Sequence, residues 1–303
     1  MSLKLKTAVL ATATAIGLAG AAYAQDMRIA YTGYSTDNTF WIGVATAAGA
    51  EAEAQGVEFI DMTASSPDSA AQKDAVDRAI DMGVDGIIIG SVDNRAFDAS
   101  LDNAAAKGIP VVAVDTGIDH PHISSLVQTD NLAAAGIAGA YIVEQLAGEG
   151  SVLILGGSAG HQTGNARRDG VLTTAEAAGH EVIFQICDWQ DSCAFETTTN
   201  FLQSNPDIKA IFSAWDPGAL AAVSAAKALG KLDDLVIVGF DGNPANLVAI
   251  EEGEQDATIK QDNTRMGQES VRNLLNIING ADAPAVVPID GILITEANVA
   301  DFK

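Results

Sequence analysis

The feature that most limits what this chain can become is a grammar repeated along it: a short apolar run that breaks abruptly into polar, aromatic or glycine-rich residues. Its clearest instance is Leu235-Val-Ile-Val-Gly-Phe-Asp-Gly-Asn-Pro244. Five of its first six residues are apolar and three of these are β-branched. The run stops at a turn signal, and a helix-like stretch over 245–252 follows. Such a pattern predicts a buried parallel strand that delivers Asp241 at its C-terminal end. The same grammar recurs over 29–41, 86–94, 110–117, 152–161 and 211–218. In open parallel sheets ligands bind outside the carboxyl ends of the strands, so these breaks are where function is expected.

Between the runs lie segments with helical periodicity and helix punctuation. Helices are predicted over 40–55, 68–82, 95–107, 132–147, 167–178, 194–203, 217–229 and 265–279, several closed by a glycine such as Gly56, Gly83, Gly108 or Gly179. Strand and helix alternate throughout, which means βαβ units and a parallel sheet. A chain of this length exceeds what one core needs, and two similar halves meet near residue 129. No sequence repeat relates them. The tail segments over 256–260, 284–288 and 291–295 are too short for a third domain and are expected to cross back and complete both sheets.

The first residues stand apart. Lys4 and Lys6 precede an Ala-rich apolar run over 8–22, and Ala22-Tyr23-Ala24 fits a small-residue cleavage site, so 1–24 reads as a secretory signal cut before Gln25. A single membrane anchor is the alternative reading, disfavoured by the short, weakly apolar run. Cleavage leaves 279 of 303 residues, with 14 basic against 40 acidic side chains, a formal charge of −26. That field repels phosphate backbones and anionic lipid and argues against nucleic-acid binding. In an exported chain the local pair Cys187 and Cys193 reads as a disulfide rather than two thiols, fixing the loop that carries Trp189.

The strand ends collect an unusual mixture for a chain with few aromatics. Phe40, Trp41, Trp189 and Trp215 offer apolar faces, while Asn38, Asp115, Arg167, Asp241 and Gln261 offer hydrogen bonds. A sugar or polyol needs both, a ring under its C–H face and paired donors and acceptors for vicinal hydroxyls. Each residue alone also fits a structural role: the aromatics as core, Asp115 and Asp241 as turn or cap residues, and one of Arg167 and Arg168 as a solvated cation at a helix start. Gly156-Gly-Ser-Ala-Gly160 matches a nucleophile elbow and would make Ser158 a hydrolase nucleophile. Only His161 and His180 follow it, with Asp169 between, which is too compact for that fold. The Asp119-His120-Pro121-His122 run reads as a solvated loop rather than a metal site, and no phosphate loop or zinc motif is present.

At this point the residues resemble a known family. Asn38-Thr-Phe-Trp41 after the first strand, Val114-Asp115, Thr129-Asp-Asn131 at the first crossover, Arg167, Val238-Gly-Phe-Asp-Gly242 and Ala257-Thr-Ile-Lys-Gln261 are similar to the marks of the ribose/galactose-type (type I) periplasmic sugar-binding proteins of bacterial ABC transporters. The resemblance runs from about Met27 to the end. It implies two Rossmann-like lobes with parallel sheets, joined by three hinge crossings near Thr129–Asp130, Gln261–Asp262 and Asp290. The lobes would comprise 25–129 plus 262–290, and 130–261 plus 291–303.

The resemblance further implies that Phe40 and Trp41 sandwich a sugar ring and that Asn38 and Asp115 bind hydroxyls from the first lobe. Arg167, Asp241 and Gln261 would bind from the second lobe and hinge, His161 where glucose and galactose binders use a histidine, and Trp189 where an aromatic completes the stack. Ser91 and Trp215 join the implied ligand set. Trp215 stands where the family usually carries a ligand-binding Asn, Thr116 where ribose binders carry an Arg, and Tyr34 and Gly90-Ser91 also depart from the ribose pattern. These departures argue against ribose and leave a hexose, a furanose form, a deoxy sugar or a linear polyol. The expectation is a monomeric, non-enzymatic periplasmic receptor needing no cofactor or metal. It would hand a small neutral carbohydrate to an ABC permease; a carrier serving a chemoreceptor alone, or a hydrolase using Ser158, are the alternatives. The lac-repressor-type regulators share the lobes but carry a DNA-binding domain in front, where this chain has its signal segment.

Overall fold

The computed structural model describes residues 27–302; the signal segment expected over 1–24 lies outside the described residues. The first sheet contains β1 (Arg28–Thr32), β2 (Glu58–Asp61), β3 (Gly86–Ile89), β4 (Val111–Val114), β5 (Ile123–Thr129) and β11 (Val286–Ile289), in the order β11-β5-β4-β3-β1-β2. The second contains β6 (Ser151–Gly156), β7 (Val182–Ile186), β8 (Ile208–Ser213), β9 (Val236–Asp241), β10 (Ala257–Lys260) and β12 (Ile292–Thr295), in the order β12-β10-β9-β8-β6-β7. The two orders repeat one another strand for strand. Every pairing is parallel except β10 with β12, which is antiparallel.

Strands with continuous apolar runs are buried on both faces, as parallel sheets require. All four residues of β3 and of β4 and all six of β6 are buried. Side chains alternate across the first sheet: Ile29, Ile88, Val112 and Val114 enter one core, Ala30, Ile87, Ile89 and Val111 the other. The first core is closed by α1 (Thr39–Ala54) and α9 (Asn263–Ile278), the second by α2 (Ser69–Met82) and α3 (Asp98–Ala106). In the second lobe, α4 (Asn131–Leu146) packs on α5 (Gln162–Ala177) on one face. On the other, α6 (Asp191–Ser204) packs on α7 (Asp216–Ala228), beside α8 (Pro244–Glu251). Two helix pairs approach so closely that glycine is required: a Cβ at Gly267 would meet the α1 backbone, and one at Gly170 the α4 backbone.

The chain passes between sheets three times, after β5, after β10 and between β11 and β12. The first two passages are built alike. Asp130 caps α4 by accepting from Ala133 N at 3.0 Å, and Asp262 caps α9 by accepting from Arg265 N at 2.9 Å. Among the described residues no helix is long and apolar enough to cross a membrane.

The clearest departure from expectation is α5, which starts at Gln162 rather than at Arg167. His161 is its N-cap, with Nδ1 accepting from Gly164 N at 3.3 Å. A histidine cap is weaker than Asp or Ser and easily overlooked in a sequence. Arg167 therefore does not open the helix but sits in its second turn, pointing inward and 4% exposed. Its neighbour Arg168 is no free helix-start cation either, because it pairs with Asp169 at 2.7 Å.

Candidate functional site

A cleft of about 880 Å³ opens between the C-terminal ends of the two sheets. All eleven residues expected to meet a ligand line it: Asn38, Phe40, Trp41, Ser91, Asp115, His161, Arg167, Trp189, Trp215, Asp241 and Gln261. Its polar floor is a closed ring of hydrogen bonds. Arg167 Nη1 donates to Asp241 Oδ1 at 3.2 Å and to Ala214 O at 2.8 Å, and Arg167 Nε donates to Asn131 Oδ1 at 2.9 Å. Gln261 Nε2 donates to the same Asp241 oxygen at 2.8 Å, while its Oε1 accepts from Thr129 Oγ1 at 2.8 Å. Asn131 Nδ2 closes the ring on Thr129 O at 2.9 Å. The guanidinium also lies over the Phe240 ring, 3.9 Å from its centre. Two of the three passages between lobes thus contribute directly to the groups that face the cleft.

Aromatic rings stand on both sides of this floor. From the first lobe Tyr34 stacks on Trp41 with ring centres 6.3 Å apart, and Phe40 meets Trp41 edge-on at 5.3 Å. Trp41 is only 6% exposed and belongs to the first-lobe core as much as to the cleft. Gly90 gives it room, since a Cβ there would run into the indole. Asn38 caps α1, its Oδ1 accepting from Phe40 N at 3.0 Å and Trp41 N at 3.4 Å. It therefore aims the two rings whatever else it binds.

From the second lobe Trp189 meets His161 at 5.2 Å and Trp215 at 5.7 Å, both edge-on. Cys187 and Cys193 form a disulfide that closes the loop holding Trp189. The same loop supplies Asp191, whose Oδ1 accepts from Trp215 Nε1 at 3.0 Å. The indole N–H at position 215 is thereby occupied, leaving the ring as an apolar wall.

Several cleft residues hold strained backbone. Asp115, Trp189 and Asp241 adopt φ of 65°, 60° and 138°, where a side chain costs on the order of 1–3 kcal/mol. At Asp115 the chain makes a three-residue turn, Thr116 N donating to Val114 O at 2.8 Å. Strain collected at the residues facing one cleft is a mark of function. Electrostatics are unusual as well. Burial raises the Asp115 carboxyl above its ordinary range, opposed by the Arg167 charge and by the Thr116 hydroxyl. Burial likewise raises Asp241, opposed by Arg167 and Gln261. Burial and Arg167 lower the His161 imidazole, which suits a neutral ring that accepts a hydrogen bond.

Sequence reasoning passed over three residues here. Asn131 was visible only as part of a cap motif, and Thr129 only as a crossover mark. Asp216 lies behind Asp241, buried completely, its carboxyl pushed up to about 7 by desolvation and by the Asp241 charge. The available signal was an acid before Pro217 at a strand end, next to Trp215. The hydrolase alternative is not assembled. Ser158 lies in the turn before α5, whereas His180 Nδ1 sits 2.9 Å from Gly150 O at the opposite, N-terminal end of β6, and Asp169 pairs with Arg168. His120 and His122 both lie near Asp102, at 3.6 and 3.5 Å, and no group of metal ligands is found among the described residues. A second cavity of about 580 Å³ opens by Val84, Ile109, Pro110 and Ile278, but its Asp85 and Lys107 are engaged by Arg28 N and Asp81. Of these two cavities, the interlobe cleft is the one that gathers convergent polar groups and rings.

The chain is similar to characterised proteins over most of its length. It is 30% identical over 244 residues to the ribose import binding protein of Bacillus subtilis, covering 80% of this chain and 79% of that one. An ABC transporter solute binding protein from Bacillus halodurans, solved with bound myo-inositol, superposes with a TM-score of 0.80 at 28% identity, covering 92% of this chain and 98% of the other. One from Actinobacillus succinogenes with bound D-allose gives 0.82 at 25%, covering 91% and 99%. The periplasmic binding protein domain matches residues 29–282, and the chain belongs to that family.

Proposed function

We propose that this protein is the periplasmic receptor of an ABC importer and that it takes one neutral monosaccharide or polyol into the interlobe cleft. The observation that carries the reading is the cleft itself: aromatic walls from both lobes over a floor in which Asp115, Arg167, Asp241 and Gln261 converge. Stacked C–H faces and paired hydroxyls are the chemistry such a site recognises. The ligands named for its relatives, ribose, D-allose and myo-inositol, share that chemistry.

Asp115 and Asp241 accept from ligand hydroxyls, Arg167 and Gln261 donate, and Ser91, whose buried hydroxyl has no protein partner, adds a further contact. Phe40 and Trp41, edge-on to each other at 5.3 Å, cannot sandwich a ring between them as expected; they meet one face of the ligand, Trp189 and Trp215 the other, with His161 at the edge. The bodies 25–129 with 262–290, and 130–261 with 291–303, rotate about the three passages to enclose it. The closed form is what the permease reads. Residues 1–24 direct export and are removed, and the mature chain acts as a monomer without catalysing a reaction.

The test is a thermal-shift screen of residues 25–303, stripped of carried-over ligand by unfolding and refolding, against pentoses, hexoses, deoxy sugars, cyclitols and linear polyols. A ligand at about a hundred times its Kd stabilises the folded state by about 2.7 kcal/mol, a shift of several degrees. A shift confined to one stereochemical series is the expected result. Refolded protein that responds to no carbohydrate would sink the reading.

A further inference from the structure

Asp216 is the acid that, among the described residues, has no exposed surface at all. It does not line the cleft. Its carboxylate lies behind the β9–α8 turn, where three elements meet. Oδ1 accepts from Thr258 Oγ1 on β10 at 2.6 Å and Oδ2 accepts from Asn243 N at 2.6 Å, and the Gly242 amide faces the same carboxylate. The Asp216 carbonyl accepts from Asn246 Nδ2 at 2.9 Å, and that amide is steadied by Gln255 Oε1 at 2.8 Å. Gly239 on β9 leaves the space, since a Cβ there would strike the carboxylate.

These contacts fall on the segment least able to hold itself. Asp241 has φ 138° and Gly242 φ 74°, so two successive residues sit in the left-handed half of backbone space. The ring of hydrogen bonds through Arg167 and Gln261 grips the Asp241 side chain, and Gln261 N donates to the Asp241 carbonyl at 3.2 Å, but neither reaches the amides of the next two residues. The amides of Gly242 and Asn243, which set the direction in which that side chain leaves the strand, both face Asp216, and that of Asn243 is hydrogen-bonded to it.

Resting on the reading of the cleft as a carbohydrate site, we propose that Asp216 is a positioning residue for ligand binding: it clamps the turn 241–243 so that Asp241 presents its carboxylate to the cleft. Its side chain touches no ligand. Asn can do the same work, its carbonyl accepting the backbone amides and its NH2 donating to the Thr258 hydroxyl, whereas Ala cannot.

The experiment uses the mature chain, residues 25–303, as wild type, Asp216→Asn and Asp216→Ala. Amide hydrogen exchange is followed at 242 and 243, and affinities for D-allose, D-ribose and myo-inositol are measured by calorimetry. Asp216→Ala is expected to speed exchange at those two amides at least tenfold and to weaken whichever of the three sugars binds by at least tenfold. Asp216→Asn should keep both within about threefold. Unchanged exchange and affinity in the Ala variant overturn the proposal. So does an Asn variant as damaged as Ala, which would make the charge, not the clamp, the active feature. If the Ala variant does not fold, Thr258→Val removes one donor to the clamp, and exchange at 242–243 that does not rise there is equally decisive against it. Wild-type protein that binds none of the three sugars leaves the exchange measurement to decide the clamp while counting against the carbohydrate reading.

Discussion

Replacing Asp216 by Asn should flatten the fall in stability as pH rises from acid to neutral, and the structure sets the size of the effect. Desolvation, then the charge of Asp241, holds the Asp216 carboxyl near 7 against an ordinary value of 3.8. Thr258 and the amides of Asn243 and Gly242 pull it down without cancelling the shift, and the Arg167 guanidinium is spent on Asp241. Between those two values the folded protein keeps a proton that the unfolded chain has released. Stability contributed by this group is therefore fully present below about pH 4, falls as pH rises towards 7 and is flat above it. About two pH units of that window lie above pH 5, and at about 1.4 kcal/mol per unit the loss between pH 5 and pH 8 comes to roughly 2–3 kcal/mol. Asp216→Asn cannot titrate and should lack it. Urea unfolding followed by tryptophan fluorescence at pH 5 and pH 8 gives the comparison, and the difference between wild type and variant removes every group common to both. If both proteins lose the same stability between the two pH values, Asp216 is ionised throughout and the reasoning fails.

Three other outcomes are expected. Asp241→Ala removes the acceptor on which Arg167 and Gln261 converge and should weaken carbohydrate binding at least tenfold by calorimetry; a loss within about threefold would remove Asp241 from the site. Asn131→Ala leaves the Arg167 Nε donor without its partner and should cost about 1.5–3 kcal/mol in urea unfolding, as for hydrogen bonds to charged groups, with no effect showing the ring to be dispensable. The double change Cys187→Ser, Cys193→Ser frees the loop that holds Trp189 and Asp191 against Trp215. It should lower stability by about 2 kcal/mol and weaken ligand binding several-fold, whereas unaltered affinity would mean that the loop is ordered by packing alone.

The alternation of strand and helix was legible in the sequence because its causes are local. An apolar run of four to six residues, a glycine at a helix end and an aspartate before a helix each act within one turn of chain. For the same reason the strand ends were identifiable, and with them nine of the eleven residues that meet in the cleft; His161 and Ser91 came from the family resemblance. Asp241 is the plainest case: the run from Leu235 to Phe240 has to stop, and what stops it faces outward from the sheet. The expectation of an export signal over 1–24 comes from the sequence alone.

Other features had no local cause and belong to the tertiary structure. Arg167 looked like one of two interchangeable cations until α5 began five residues earlier and carried it over the Phe240 ring and onto Asn131. Trp215 was legible as an apolar face, but that Asp191, 24 positions away, takes its indole N–H was not. Asp216 was invisible as a clamp because Thr258 reaches it across 42 residues and the turn it holds is 27 residues downstream. The left-handed backbone at Asp115 and Asp241 follows from no residue preference of aspartate strong enough to predict it; it persists because the surrounding contacts outweigh its cost. Short-range chemistry decides which elements form and where they end. Which side chains share a proton, a hydrogen bond or a strained turn is decided only when elements distant in the chain are brought into contact.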